Sequence, residues 1–166
     1  GSILIPMMLV LTNTPFLFGW AKPVPVNTNR LNHPIKDMLT VAIAGPISNL
    51  SLAVICATLI KVVIQVDPRI ILAYKWGFEL LGYGVIINVV LAVFNMIPIP
   101  PMDGSRVLYR FLPNKGRYVL DRLEPYGLFL IILLSFFGIF GTIIKLFGYP
   151  LIKLLLGPTA IAILFS

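Results

Sequence analysis

The sequence predicts an all-α polytopic membrane protein. It reads as one transmembrane domain over residues 1–166, with four to five membrane helices, an extended or β-like loop near 19–30, and a broken helix at 95–104. Three observations carry this. Of 166 residues, 58% are hydrophobic and only 11% charged, with a mean hydropathy of +0.98. Soluble domains carry about a quarter charged residues, because their surfaces must stay wet. Uncharged apolar runs reach the length of about 20 residues that crosses a bilayer as a helix. Proline clusters interrupt the pattern at two points where a helix cannot continue.

The runs follow in order. Ile3–Ala21 is uncharged, made irregular by Pro6, Asn13 and Pro15. Met38–Ile60 is uncharged and continues past Lys61 to Val66; a lysine there can snorkel to an interface. Leu80–Met102 is uncharged and ends in prolines, and Pro125–Ile144 is rich in Leu, Ile and Phe. The tail from Leu146 to Ser166 is interrupted by Gly148, Pro150, Lys153, Gly157 and Pro158. It reads as a fifth span, with a re-entrant hairpin or an interfacial helix as alternatives.

Charge sets the orientation. Segments 19–37 and 101–125 carry eight Lys and Arg residues between them, whereas segment 66–79 carries only Arg69 and Lys75. This bias places 19–37 and 101–125 in the cytoplasm of a multi-pass cell-membrane protein. The net charge of +7 is spread between apolar runs, which argues against nucleic acid as a partner and for the lipid bilayer. Trp20, Tyr74, Trp76 and Tyr126 fall near span ends, where aromatic belts form. No secretory signal peptide is recognisable. Cys56, the single cysteine, lies inside an apolar run, so there is no disulfide framework.

Asn95-Met96-Ile97-Pro98-Ile99-Pro100-Pro101-Met102-Asp103-Gly104 closes the third run. Its three prolines lack N–H groups and clash with a preceding helical turn, so the backbone is expected to unwind into an extended strand at the membrane surface. Irregular backbone at that depth needs protein or a wet cavity beside it. Asp103 then follows, an ionisable group at the edge of the apolar zone and hence a candidate for function. It also suits the N-cap of a helix over Ser105–Leu112. Capping and ligand binding are compatible.

In Asn-x-x-Pro-x-Pro-x-x-Asp-Gly, followed by a short basic amphipathic helix, the chain resembles the second metal motif of the site-2 protease family of intramembrane zinc proteases. Two other segments resemble the family in the same order. Phe18–Asn27 looks like the extended loop beside the active site, with Pro23, Val24 and Pro25 at its centre; a plain linker is the other reading. Ala44-Gly45-Pro46-Ile47-Ser48-Asn49 resembles the family's Ala-Gly-Pro-x-x-Asn motif. There Gly45 suits helix packing, and Asn49 suits either packing or active-site contact.

The resemblance implies a zinc metalloendopeptidase acting on transmembrane or membrane-proximal protein substrates. It implies Asp103 as a Zn2+ ligand and Asn95 as the residue that orients the substrate backbone or stabilises an oxyanion. It also implies a His-Glu-x-x-His helix, which this sequence does not contain; its one histidine, His33, sits in a basic loop and reads as a surface residue. The two histidine ligands are therefore expected outside the chain, which reads as the C-terminal portion of a protease core and as inactive alone. Gly1-Ser2 fits either a cloning scar or the family's own pattern. Two rivals remain: a non-catalytic membrane scaffold of the same fold, and a transporter-like protein with a broken-helix acidic site.

Overall fold

The computed structural model describes residues 34–165, which are helical apart from short connections and contain no strand. The expected span Ile3–Ala21, the loop near 19–30 with Pro23, Val24 and Pro25, and His33 lie outside the described residues. Three helices are long and apolar enough to cross a membrane. The first lies in α1 (Pro34–Val66), as the stretch Met38–Val66. After the short α2 (Arg69–Ala73) comes the second, α3 (Lys75–Asn95). Its 21 residues rise about 32 Å, close to the hydrocarbon thickness of about 30 Å. This span starts five residues before the expected Leu80 and ends at Asn95 rather than Met102, because Pro98 and its successors deny the last turn its donors.

An amphipathic pair follows: α4 (Asp103–Phe111) and α5 (Asn114–Leu123). A 3₁₀ turn, Glu124–Tyr126, leads into α6 (Gly127–Phe136). The run expected to span from Pro125 to Ile144 is divided here. Gly138 adopts a left-handed φ of 69°, which ends α6 and redirects the chain. The third long helix runs from Ile139 to Phe165. It comprises α7 (Ile139–Ile143), a π turn over Ile144–Gly148 and α8 (Tyr149–Phe165). Phe140 meets Phe94 with ring centroids 5.1 Å apart, and Phe165 meets Tyr83 at 5.5 Å. The third long helix is thus antiparallel to α3, which suits the tail for spanning.

Packing rests on small residues. Ala53, Ala57 and Ile60 of α1 meet Val85 and Val89 of α3 and Leu156, Ala160 and Leu164 of α8. Each set repeats at three or four residues, one face of a helix. Gly82 lets α8 come close: a Cβ there would stand 3.1 Å from the Phe165 ring. Small residues are how membrane helices gain van der Waals contact when lipid is as apolar as the partner. Only about a fifth of each apolar window is buried within the protein. The remaining Leu, Ile and Phe surface needs lipid around it.

The break in α8 has a compensating contact. Gly157 has φ 76° and ψ 164°, and Pro158 has no N–H to donate back to the Leu154 carbonyl. Lys61 of α1 donates to that carbonyl at 3.4 Å. Its ammonium therefore has a protein partner besides the interface to which it was expected to snorkel.

Candidate metal centre

Between α3 and α4 the chain makes compact turns rather than the extended strand expected from its prolines. Four residues from Met96 to Met102 retain an N–H, and all four are used. Met96 donates to Ala92 O, Ile97 to Phe94 O, Ile99 to Ile97 O and Met102 to Ile99 O, at 2.8–3.2 Å. Prolines fill the remaining places, and the Pro100–Pro101 peptide is cis. Composition explains the difference: a strand would need an edge to pair with, whereas turns satisfy the backbone locally, as a low-dielectric setting demands.

Two glycines clamp this loop. A Cβ on Gly104 would run into the Met96 and Ile97 carbonyls, and one on Gly127 would stand 2.7 Å from Pro100 O. Gly104 brings the start of α4 onto the end of α3. Gly127 closes the base of the α4–α5 hairpin on the same loop.

Asp103 is the first residue of α4, with Met102 at the cap position and no side-chain capping bond. This removes the capping alternative for Asp103 over Ser105–Leu112. The helix begins two residues earlier, and the buried Ser105 hydroxyl turns back to donate to Met102 O at 2.7 Å. Among the described residues no hydrogen bond or ion pair holds the half-buried Asp103 carboxylate. It does have a neighbour: a Cβ built on Gly45 of α1 would lie 3.3 Å from Oδ2.

The other sequence-predicted residues sit around this point. Asn95 is the last residue of α3, and Asn49 lies one turn beyond Gly45 on the same face of α1. Both are half-buried, and neither side chain makes a hydrogen bond among the described residues. Pro46 and Leu50 of α1 face Met96, Ile97 and Pro98 across an almost wholly apolar, open pocket of about 460 Å³, which Phe147 of the π turn also lines. The Ala44–Asn49 segment of α1 and the Asn95–Gly104 segment, which resemble two separate motifs, thus share one region. Among the described residues no three His, Cys, Asp or Glu side chains cluster as a metal site. Asp103 fits as one oxygen ligand with its lone pairs free, not as a complete set. The Gly45–Asp103 contact was missed by sequence reasoning, which assigned Gly45 to helix packing. No residue pattern within α1 names its cross-helix partner.

Residues 73–138 match Peptidase family M50. That stretch runs from the end of α2 to the Gly138 break and contains Asn95, the proline loop and Asp103. Over 120 residues, 72% of this chain and 54% of the relative, the chain is 35% identical to "Putative zinc metalloprotease YwhC" of Bacillus subtilis. The chain belongs to the site-2 protease family. It is also 39% identical over 82 residues to "Putative zinc metalloprotease MJ0611" of Methanocaldococcus jannaschii, covering 44% of this chain and 37% of that protein. The chain thus spans about half the length of the first of these family members and about a third of the second. No solved structure matches it. Family membership and the three long apolar helices together make it a membrane protein of a metalloprotease family.

Proposed function

We propose that this chain is the aspartate-bearing part of an intramembrane zinc metalloprotease that hydrolyses peptide bonds of transmembrane or membrane-proximal substrates. One observation carries the reading: a half-buried carboxylate without a partner among the described residues, at the start of α4 just after the proline turns that end an apolar helix, inside the segment that matches the M50 family. Asp103 would be one Zn2+ ligand. The two histidines and the glutamate that such chemistry needs would come from outside the chain, since its sequence lacks His-Glu-x-x-His. Zinc, when bound, supplies a water that ionises near pH 7 and polarises the scissile carbonyl.

The chain's own residues would do the rest. The amide of Asn95 would hold the substrate backbone or the developing oxyanion. Asn49 would border the bound substrate strand, one turn along α1 from Gly45. The apolar lining of the pocket between Pro46 and Pro98 would disfavour bulk water there. By lysine and arginine bias the loop 101–125, and with it Asp103, would lie on the cytoplasmic side of the cell membrane.

Asp103→Asn in the full-length protein tests this. Asparagine keeps the size, and no capping bond is lost. Insertion and helix content should stay, while zinc content and cleavage of a helical substrate in detergent fall by orders of magnitude. Wild-type zinc content and cleavage from this variant would end the metalloprotease reading of the site.

A further inference from the structure

We propose that the outer face of α5 is a docking surface for the anionic phospholipid headgroups of the protein's own membrane. The hairpin α4–α5 sits between two membrane-length helices, and the contact of Gly127 with Pro100 pins both of its ends to the loop after α3. It therefore lies at the level where the apolar core gives way to headgroups.

The charge of α5 is divided by side. At 100° per residue Tyr118, Arg122, Lys115, Val119 and Leu123 follow one another round an arc of about 140°. All five are exposed, and Arg122 lies over the Tyr118 ring at 5.0 Å, which fixes these two on one side. The opposite side is occupied. Gly116 packs on Leu112, and Arg117 donates to Tyr109 O at 3.1 Å. The acids, though exposed, lie away from that arc: Asp121 accepts from the Tyr109 hydroxyl of α4, and with Glu124 and Arg106 it lines a cleft beside Pro100 and Ser105. The outer arc thus presents two cations and no acid, interleaved with an aromatic and two aliphatic side chains.

That mixture matches a lipid headgroup layer. Basic amphipathic helices lie in the interface with apolar side chains below the headgroups, and tyrosine is enriched at that depth. Lys115 and Arg122 complement anionic headgroups, each cation being worth about fivefold in affinity near such a surface. The proposal does not depend on proteolysis or on metal, so it stands or falls separately from the proposed function.

The test uses the whole chain with Cys56→Ala and Val119→Cys, the new thiol carrying an environment-sensitive fluorophore. The protein is placed in nanodiscs of phosphatidylcholine, with or without phosphatidylglycerol. Phosphatidylglycerol should shift the emission to the blue and reduce quenching by neutral acrylamide severalfold. Lys115→Glu with Arg122→Glu should abolish the difference, about 25-fold in the docked-to-free ratio at fivefold per cation. Salt at 1 M, where the screening length is about 3 Å, should abolish it in the unsubstituted face, which covers the case of a poorly folded variant. Equal emission and quenching in both lipids would overturn the proposal. So would protection that survives both salt and charge reversal, which would assign the face to a protein contact instead.

Discussion

The Asp103 carboxylate lies against Gly45: a methyl group on that glycine would stand 3.3 Å from Oδ2. The contact joins α1 to α4 across the loop that ends α3. It gives a physical reason for glycine at a helix position where alanine would be the better helix former by about 1 kcal/mol.

Gly45→Ala should therefore have effects of opposite sign on fold and site. Helix propensity rises, so thermal stability in detergent should hold or increase. The carboxylate must yield by a few tenths of an ångström, so zinc retention by the full-length protein should fall about tenfold, the scale of changes that displace a ligand's support. Metal analysis beside a melting curve reads both. Unchanged zinc with unchanged stability would mean that Gly45 does not position Asp103.

Gly104→Ala acts on the backbone. Its Cβ would overlap two carbonyls of the Met96–Ile97 turn, and nothing flexible is there to give way. Overpacking of this kind costs about 1–3 kcal/mol. The variant should expose the loop, detected as faster proteolytic nicking between Asn95 and Ser105. Nicking at the parent rate would show that α4 tilts away at little cost.

Much of this was legible in the sequence, and the limits have physical causes. The absence of charge over Met38–Ile60 and Leu80–Met102 located two long helices, since lipid tolerates little else. Prolines 98, 100 and 101 located the break, because a missing N–H is a local property. The conformation within the break was misread. Whether such backbone extends or turns depends on what is available to pair with it, which is a tertiary fact. The division at Gly138 was also hidden: Pro125–Ile144 is apolar throughout, and hydropathy alone cannot show that one glycine adopts positive φ. Asp103 was singled out by residue type and motif, whereas its contact with Gly45, 58 residues earlier, is visible only in three dimensions.

Lys61→Met removes the donor to the Leu154 carbonyl while keeping the aliphatic stem. Hydrogen bonds between membrane helices average about 0.6 kcal/mol and reach about 1.7. A loss in that range is expected, with Lys61→Arg restoring most of it. Unfolding in a detergent series measures the difference. A methionine variant as stable as the parent would show that the carbonyl finds another donor when Pro158 leaves it free.

The orientation of the helices yields the last prediction. Arg69 follows the end of α1, Lys115 lies beyond the end of α3, and both are exposed. α3 alone separates them along the chain in membrane terms, and its 21 residues suffice for one crossing. A single crossing puts the two positions on opposite sides. The segment bearing Lys115 holds five basic residues and that bearing Arg69 holds two, so Lys115 is assigned to the cytoplasm. With Cys56→Ala as background, Lys115→Cys should react with an impermeant thiol reagent only in inverted vesicles, and Arg69→Cys only in right-side-out ones. The opposite pattern would invert the orientation and put Asp103 at the outer face. Labelling of both from one side would mean that α3 does not cross, and the membrane position of the proline loop would have to be redrawn.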